Sequence, residues 1–131
     1  MLNKVDIFNF KTIMTIQRFE DIIAWQKAQD LAVKVYTEFG NSRDYNFKDQ
    51  ICRASVSVSN NIAEGFDRNT TSKEFSRFLY ISKGSCAEVK SMLYLAIRLN
   101  YILIDKANEM MKQCDEISRI IRGLIKSFET I

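Results

Sequence analysis

Apolar residues recur every three or four positions in four successive blocks of this chain, the spacing that lays one greasy stripe along a helix. The first block aligns Ala24, Ala28, Leu31, Val35 and Phe39, widened by Trp25, Ala32 and Tyr36. It predicts a helix over about 19–39, with Glu20 and Asp21 in the first turn and Gly40 as the stop. The second block, about 43–65, carries Phe47, Ile51, Ala54, Val58 and Ile62 behind Ser42 as a candidate N-cap, with Gly65 as its expected end. Ser55, Ser57, Ser59, Asn60 and Asn61 interrupt it. These are weak helix formers, so packing has to hold them helical. Such a run either lets another helix approach closely or presents a polar face.

The third block, about 72–100, opens with the capping box Thr71-Ser72-Lys73-Glu74. One stripe runs through Phe75, Leu79, Ser82, Cys86, Val89, Leu93 and Ala96. A second runs through Phe78, Ile81, Ser85, Met92, Leu95 and Leu99. An apolar arc that wide predicts burial on more than one side, and Phe78, Ile81, Met92 and Leu95 are the expected contacts with further copies of the chain. The fourth block, about 106–129, follows Asp105 as N-cap and repeats Ala107, Met110, Cys114, Ile117, Ile121, Leu124 and Phe128 in the 3-4 spacing of a bundle seam. Short connections make neighbouring helices antiparallel, so residues 18–131 are expected to form an all-α, up-down four-helix bundle. Residues 1–17 lack this period and are expected to be a peripheral or disordered extension, with Met14 as an alternative start to Met1.

Composition narrows the chemistry. The chain has four Gly and no Pro among 131 residues, too few turn formers for a dense β-architecture. There is no His, which removes the commonest general base and zinc ligand. Cys52, Cys86 and Cys114 are scattered, the pattern of reduced thiols in a cytoplasmic protein. No apolar run approaches the ~20 residues of a membrane span, so no membrane partner is expected. No phosphate-binding Gly loop, G-x-S-x-G or H-E-x-x-H is present, and the inward positions hold no carboxylate. The reading is a non-enzyme without catalytic residues, metal or cofactor.

The net charge of +3 permits nucleic-acid binding without demanding it. Lys83 and Lys90 share a face of the third helix, and Arg98 adds to its positive charge. Lys112, Arg119 and Lys126 form a seven-residue row on the fourth, with Arg122 beside it. These residues are the candidate surface for nucleic acid or another partner. The opposing reading is a solvated face, in which Lys112–Glu116 and Asp115–Arg119 pair within the helix at i,i+4.

Three segments resemble a known family. Arg18-Phe19-Glu20-Asp21-Ile22-Ile23-Ala24-Trp25-Gln26-Lys27-Ala28 is similar to its opening F-E-D-L-x-x-W-Q-K-A. Arg53-Ala54-Ser55-Val56-Ser57-Val58-Ser59-Asn60-Asn61-Ile62-Ala63-Glu64-Gly65 resembles R-A-A-V-S-I-P-S-N-I-A-E-G, and Glu74 to Ser85 resembles E-F-x-R-F-L-x-I-A-x-G-S. The family is that of bacterial four-helix-bundle proteins encoded in intervening sequences of large-subunit ribosomal RNA genes. It includes the accessory variability determinants of diversity-generating retroelements. The resemblance covers about 18–131 and implies a ring-like homopentamer with no known enzymatic activity. Its retroelement members bind nucleic acid and contact a reverse transcriptase, so RNA, DNA and that enzyme join the expected partners. Two positions depart from the family pattern. Ser59 replaces a Pro, which weakens an expected kink in the second helix, and Lys90 replaces an acid.

Overall fold

The computed structural model describes residues 16–68 and 71–129, and the expectation for the N-terminal extension falls almost wholly outside them. A single 3-10 turn, Phe19–Asp21, leads into α1 (Ile23–Phe39), α2 (Tyr45–Asp67), α3 (Ser72–Arg98) and α4 (Ile104–Glu129). No strand occurs among the described residues. Cross-links between α3 and α4 pair falling numbers with rising ones, Lys90 with Asp115 and Tyr80 with Glu129, so these helices run antiparallel. The five inner positions predicted on α1, the stripe on α2 and the first stripe of α3 are all buried. Of the residues expected to widen the α1 stripe, Trp25 and Ala32 are half-buried and Tyr36 is exposed. On α4 burial passes from Ile121 to Ile125, leaving Leu124 half-buried, because 3.6 residues per turn drift out of a strict 3-4 repeat.

Local chemistry sets the helix ends. Asp44, not Ser42, caps α2: its Oδ1 accepts the Phe47 N–H at 3.1 Å, while Ser42 Oγ accepts the Asp44 N–H at 3.2 Å. Thr71 Oγ1 accepts the Glu74 N–H at 3.1 Å as the capping box requires, but the Glu74 carboxylate turns to Arg77 at 2.8 Å instead of reaching back. Asp105 falls inside the first turn of α4, where the dipole still favours an acid. At the α3–α4 turn, Asn100 takes a left-handed φ of 60°, a conformation Asn tolerates better than most side chains.

Gly65 does not end α2, which continues to Asp67. A Cβ there would lie 2.5 Å from Phe78 Cβ, so glycine is what lets α3 press against α2. The serines beside it settle the role of the Ser/Asn run. Ser55 and Ser59 are buried, Ser82 Oγ donates to the Val58 carbonyl at 2.7 Å, and Ser85 Oγ donates to Ser57 Oγ at 2.8 Å. The run divides between two neighbours: Ser57 meets α3 through Ser85, Ser59 accepts from Gln29 of α1 at 3.0 Å, and Asn60 is left exposed.

The second stripe of α3 divides. Phe78 and Met92 are packed inside the protomer, correcting their expected role as contacts between copies. Phe78 sits against Gly65, with the Arg77 guanidinium 5.0 Å from its ring centroid. Ile81, Leu95 and Leu99 stay exposed.

Candidate nucleic-acid interface

The outer face of α4 is written by spacing. Lys112, Asp115, Arg119, Arg122 and Lys126 follow one another at three or four residues and so share one side of the helix. Four acids lie one turn from this row, and each is engaged elsewhere. Glu109 binds Lys34 of α1 at 2.9 Å, and Glu129 accepts from the Tyr80 hydroxyl. Glu116 binds Lys27 of α1 at 2.6 Å, not Lys112. Asp115 binds Lys90 of α3 at 2.7 Å, not Arg119. Lys112, Arg119, Arg122 and Lys126 are exposed and, with half-exposed Lys83, have no ion-pair partner among the described residues.

The Lys90–Asp115 rung also fixes the level of Lys83. Moving seven residues back along α3 and seven forward along antiparallel α4 brings Lys83 beside Arg122. One heptad on an α-helix returns to nearly the same face, so Lys83 faces α4 as Lys90 does. Lys83, Arg119, Arg122 and Lys126 thus gather along one groove. Lys90 belongs to the same groove with its charge matched, and the Asp115 hydrogen bond holds its ammonium above the usual lysine range. Lys112 continues the row beyond that rung. Arg98 stands apart at the last turn of α3, where a cation suits the helix C-terminus.

At its other end the groove opens into a hollow of about 420 Å³ between the first turns of α3 and the last turn of α4. Lys73, Ser76, Arg77, Tyr80 and Glu129 are among its lining residues. The Tyr80 hydroxyl donates a hydrogen bond to Glu129, whose carboxylate pushes the phenol above its ordinary range. The sequence pattern did not reveal the hollow. The seven-residue row Ser76, Lys83, Lys90 was the available signal.

The buried thiols offer different chemistry. Cys86 donates to the Cys114 carbonyl at 3.2 Å. Contact with Cys86, together with burial, holds the Cys114 thiol well above the ordinary range and therefore protonated. Among the described residues no cluster of three or more His, Cys, Asp or Glu is placed to hold a metal ion, and no helix is long and apolar enough to cross a membrane.

A family model described as the 23S rRNA-intervening sequence protein matches residues 20–123. The chain belongs to this family. No curated protein sequence matches it. Among solved structures it is similar to a protein of unknown function from Bacteroides thetaiotaomicron, assigned to the S23 ribosomal protein family. The two share 23% identity and a TM-score of 0.73, over 79% of this chain and 99% of the other. At that identity the likeness speaks for the bundle fold. The family match spans all four helices and both sides of the α3–α4 groove, ending just short of Lys126.

Proposed function

We propose that this chain is a non-enzymatic, self-associating helical bundle whose α3–α4 groove binds the phosphate backbone of nucleic acid. One observation carries the reading: the acids that would neutralise the α4 row within the helix are spent on α1 and α3. Four cations without an ion-pair partner remain along one groove, against the single carboxylate of Glu129 at its end, and aligned copies in a ring would add their fields. The exposed Ile81, Leu95 and Leu99 of α3 supply apolar surface for those copies, and a homopentamer is the assembly proposed. A reverse transcriptase is a further proposed partner.

Fluorescence anisotropy with structured RNA and with duplex DNA tests the groove. Four phosphate contacts per protomer imply a slope of log affinity against log salt of about −3.6 on duplex DNA. Arg119→Glu with Arg122→Glu should flatten that slope and abolish most binding. No binding to either nucleic acid at low salt would end the proposal. Light scattering of purified protein tests the pentamer separately.

A second reading, a protein-interaction ring without nucleic-acid affinity, draws on a different region. Tyr101, Leu103 and Ile104 crowd an exposed apolar tip at the α3–α4 turn, with Leu103 as much as 74% exposed. Patches of this kind mark protein contacts. A single protein partner recovered after nuclease treatment, and lost on Leu103→Asp, would favour it.

A further inference from the structure

The hollow at the end of the groove combines three kinds of group. Lys73 stands on the first turn of α3, where the dipole and the leading N–H groups favour negative charge, and Arg77 one turn on has its guanidinium matched by Glu74 at 2.8 Å. Tyr80 and Phe128 bring two aromatic rings, and Tyr80 is half exposed. Glu129 supplies acceptor oxygens, already engaged by the Tyr80 hydroxyl.

Ser76 distinguishes this hollow from an ordinary helix end. It stands in the same wall, only 8% exposed, and its Oγ has no hydrogen-bond partner among the described residues. The other buried serines of the bundle are bonded: Ser55 to the Cys52 carbonyl, Ser59 to that of Val56, Ser82 to that of Val58 and Ser127 to that of Leu124. A buried hydroxyl left alone carries its desolvation penalty with no return. The Oγ itself has almost no accessible surface, so a turn of the short side chain toward the hollow is needed for a ligand atom to meet it and remove that penalty.

A nucleotide matches the set. Its phosphate suits the α3 N-terminus, Lys73 and the Ser76 hydroxyl. Its base suits the aromatic rings, since every base has a face to stack. The Glu129 carboxylate belongs at the base end, where guanine presents N–H donors to it. Ser76 lies seven residues from Lys83, about 10 Å along the helix axis, so one strand can follow the groove and fill the hollow.

We propose that the hollow holds one nucleotide of a bound strand, its phosphate on the first turns of α3 with Lys73 and Ser76 and its base against Tyr80 and Phe128. This inference rests on the nucleic-acid reading of the groove and adds a stacking site to it.

Calorimetry on the full chain with 5′-GMP, 5′-UMP, guanosine and a short single-stranded RNA tests it. GMP should bind, more tightly than UMP and than guanosine. Ser76→Ala should weaken both GMP and RNA about tenfold while raising thermal stability, because the stranded hydroxyl is gone. Tyr80→Ala should weaken both by about tenfold, the scale of one lost stacking contact. The pair Arg119→Glu and Arg122→Glu should cut RNA binding and leave GMP unchanged. If Ser76→Ala and Tyr80→Ala bind RNA like the unaltered protein while the groove variant does not, the hollow is overturned and the groove stands. If GMP binds in a Ser76-dependent way but RNA does not, the groove reading falls and the strand's place in the hollow falls with it, leaving a site for a free mononucleotide. Guanosine binding as well as GMP would overturn the phosphate's place, and no binding of GMP at millimolar concentration would overturn the hollow outright.

Discussion

The bundle has two long seams built on opposite principles. Between α2 and α3 the helices touch through absences: Gly65 under Phe78, and serines where larger residues would hold the backbones apart. Their hydroxyls are satisfied within the seam, so closeness costs little in stranded polarity. Between α1 and α4 the outer edge is laced by charge. Lys27 meets Glu116 at 2.6 Å, Lys34 meets Glu109 at 2.9 Å and Lys106 meets Glu38 at 3.1 Å. The first seam depends on shape and tolerates almost no added atom. The second depends on partly exposed pairs, each of small worth in water, and its larger consequence is to withdraw acids from the α4 surface.

The largest test of this contrast is one substitution made in two places. Gly65→Ala should destabilise the fold by about 2 kcal/mol, the scale of overpacking against Phe78 Cβ less the gain in helix propensity. Gly123→Ala, with nothing within 4 Å of the new Cβ, should stabilise it by about 0.5–1 kcal/mol. Urea denaturation measures both, and equal effects would erase the distinction. Ser82→Ala comes next, at about 1 kcal/mol lost in the same assay, because it removes the 2.7 Å bond to Val58 without adding bulk.

Acid should separate the seams. The Lys34 hydrogen bond, helped by its charge, holds the Glu109 carboxyl below its ordinary value of 4.5. A carboxyl depressed in the folded state stabilises above its unfolded value and loses that contribution as pH falls through the folded one. Hydrogen exchange should therefore show the α1 amides around Lys34 losing protection below about pH 4.5 before those around Val58 and Ser82, whose serine bond does not titrate. The N-terminal ends of α2 and α3 carry the depressed carboxyls of Asp44 and Glu74 and stand outside the comparison. Simultaneous loss along all helices would refute the ordering. The smallest effect belongs to Lys34→Met. It should cost less than Ser82→Ala in urea, and its stability should vary less with salt than that of the unaltered protein.

Much of this was legible in the chain. Helix number, helix boundaries to within a few residues and the inward stripes follow from a local period, because a side chain's face depends only on its position along its own helix. The cation row on α4 was legible for the same reason. Its state of charge was not. Asp115 and Glu116 each had a partner one turn away in sequence and another across a seam, and only the placement of α1 and α3 chose the second. Phe78 likewise carried the pattern of an outward contact until Gly65 opened a place for it inside the protomer. The hollow beside Ser76 forms where the last turn of α4 meets the first turns of α3, a meeting that no local period places. The sequence by itself determined which residues share a face. The tertiary structure decided which groups meet across faces, because that depends on how whole helices are set against one another.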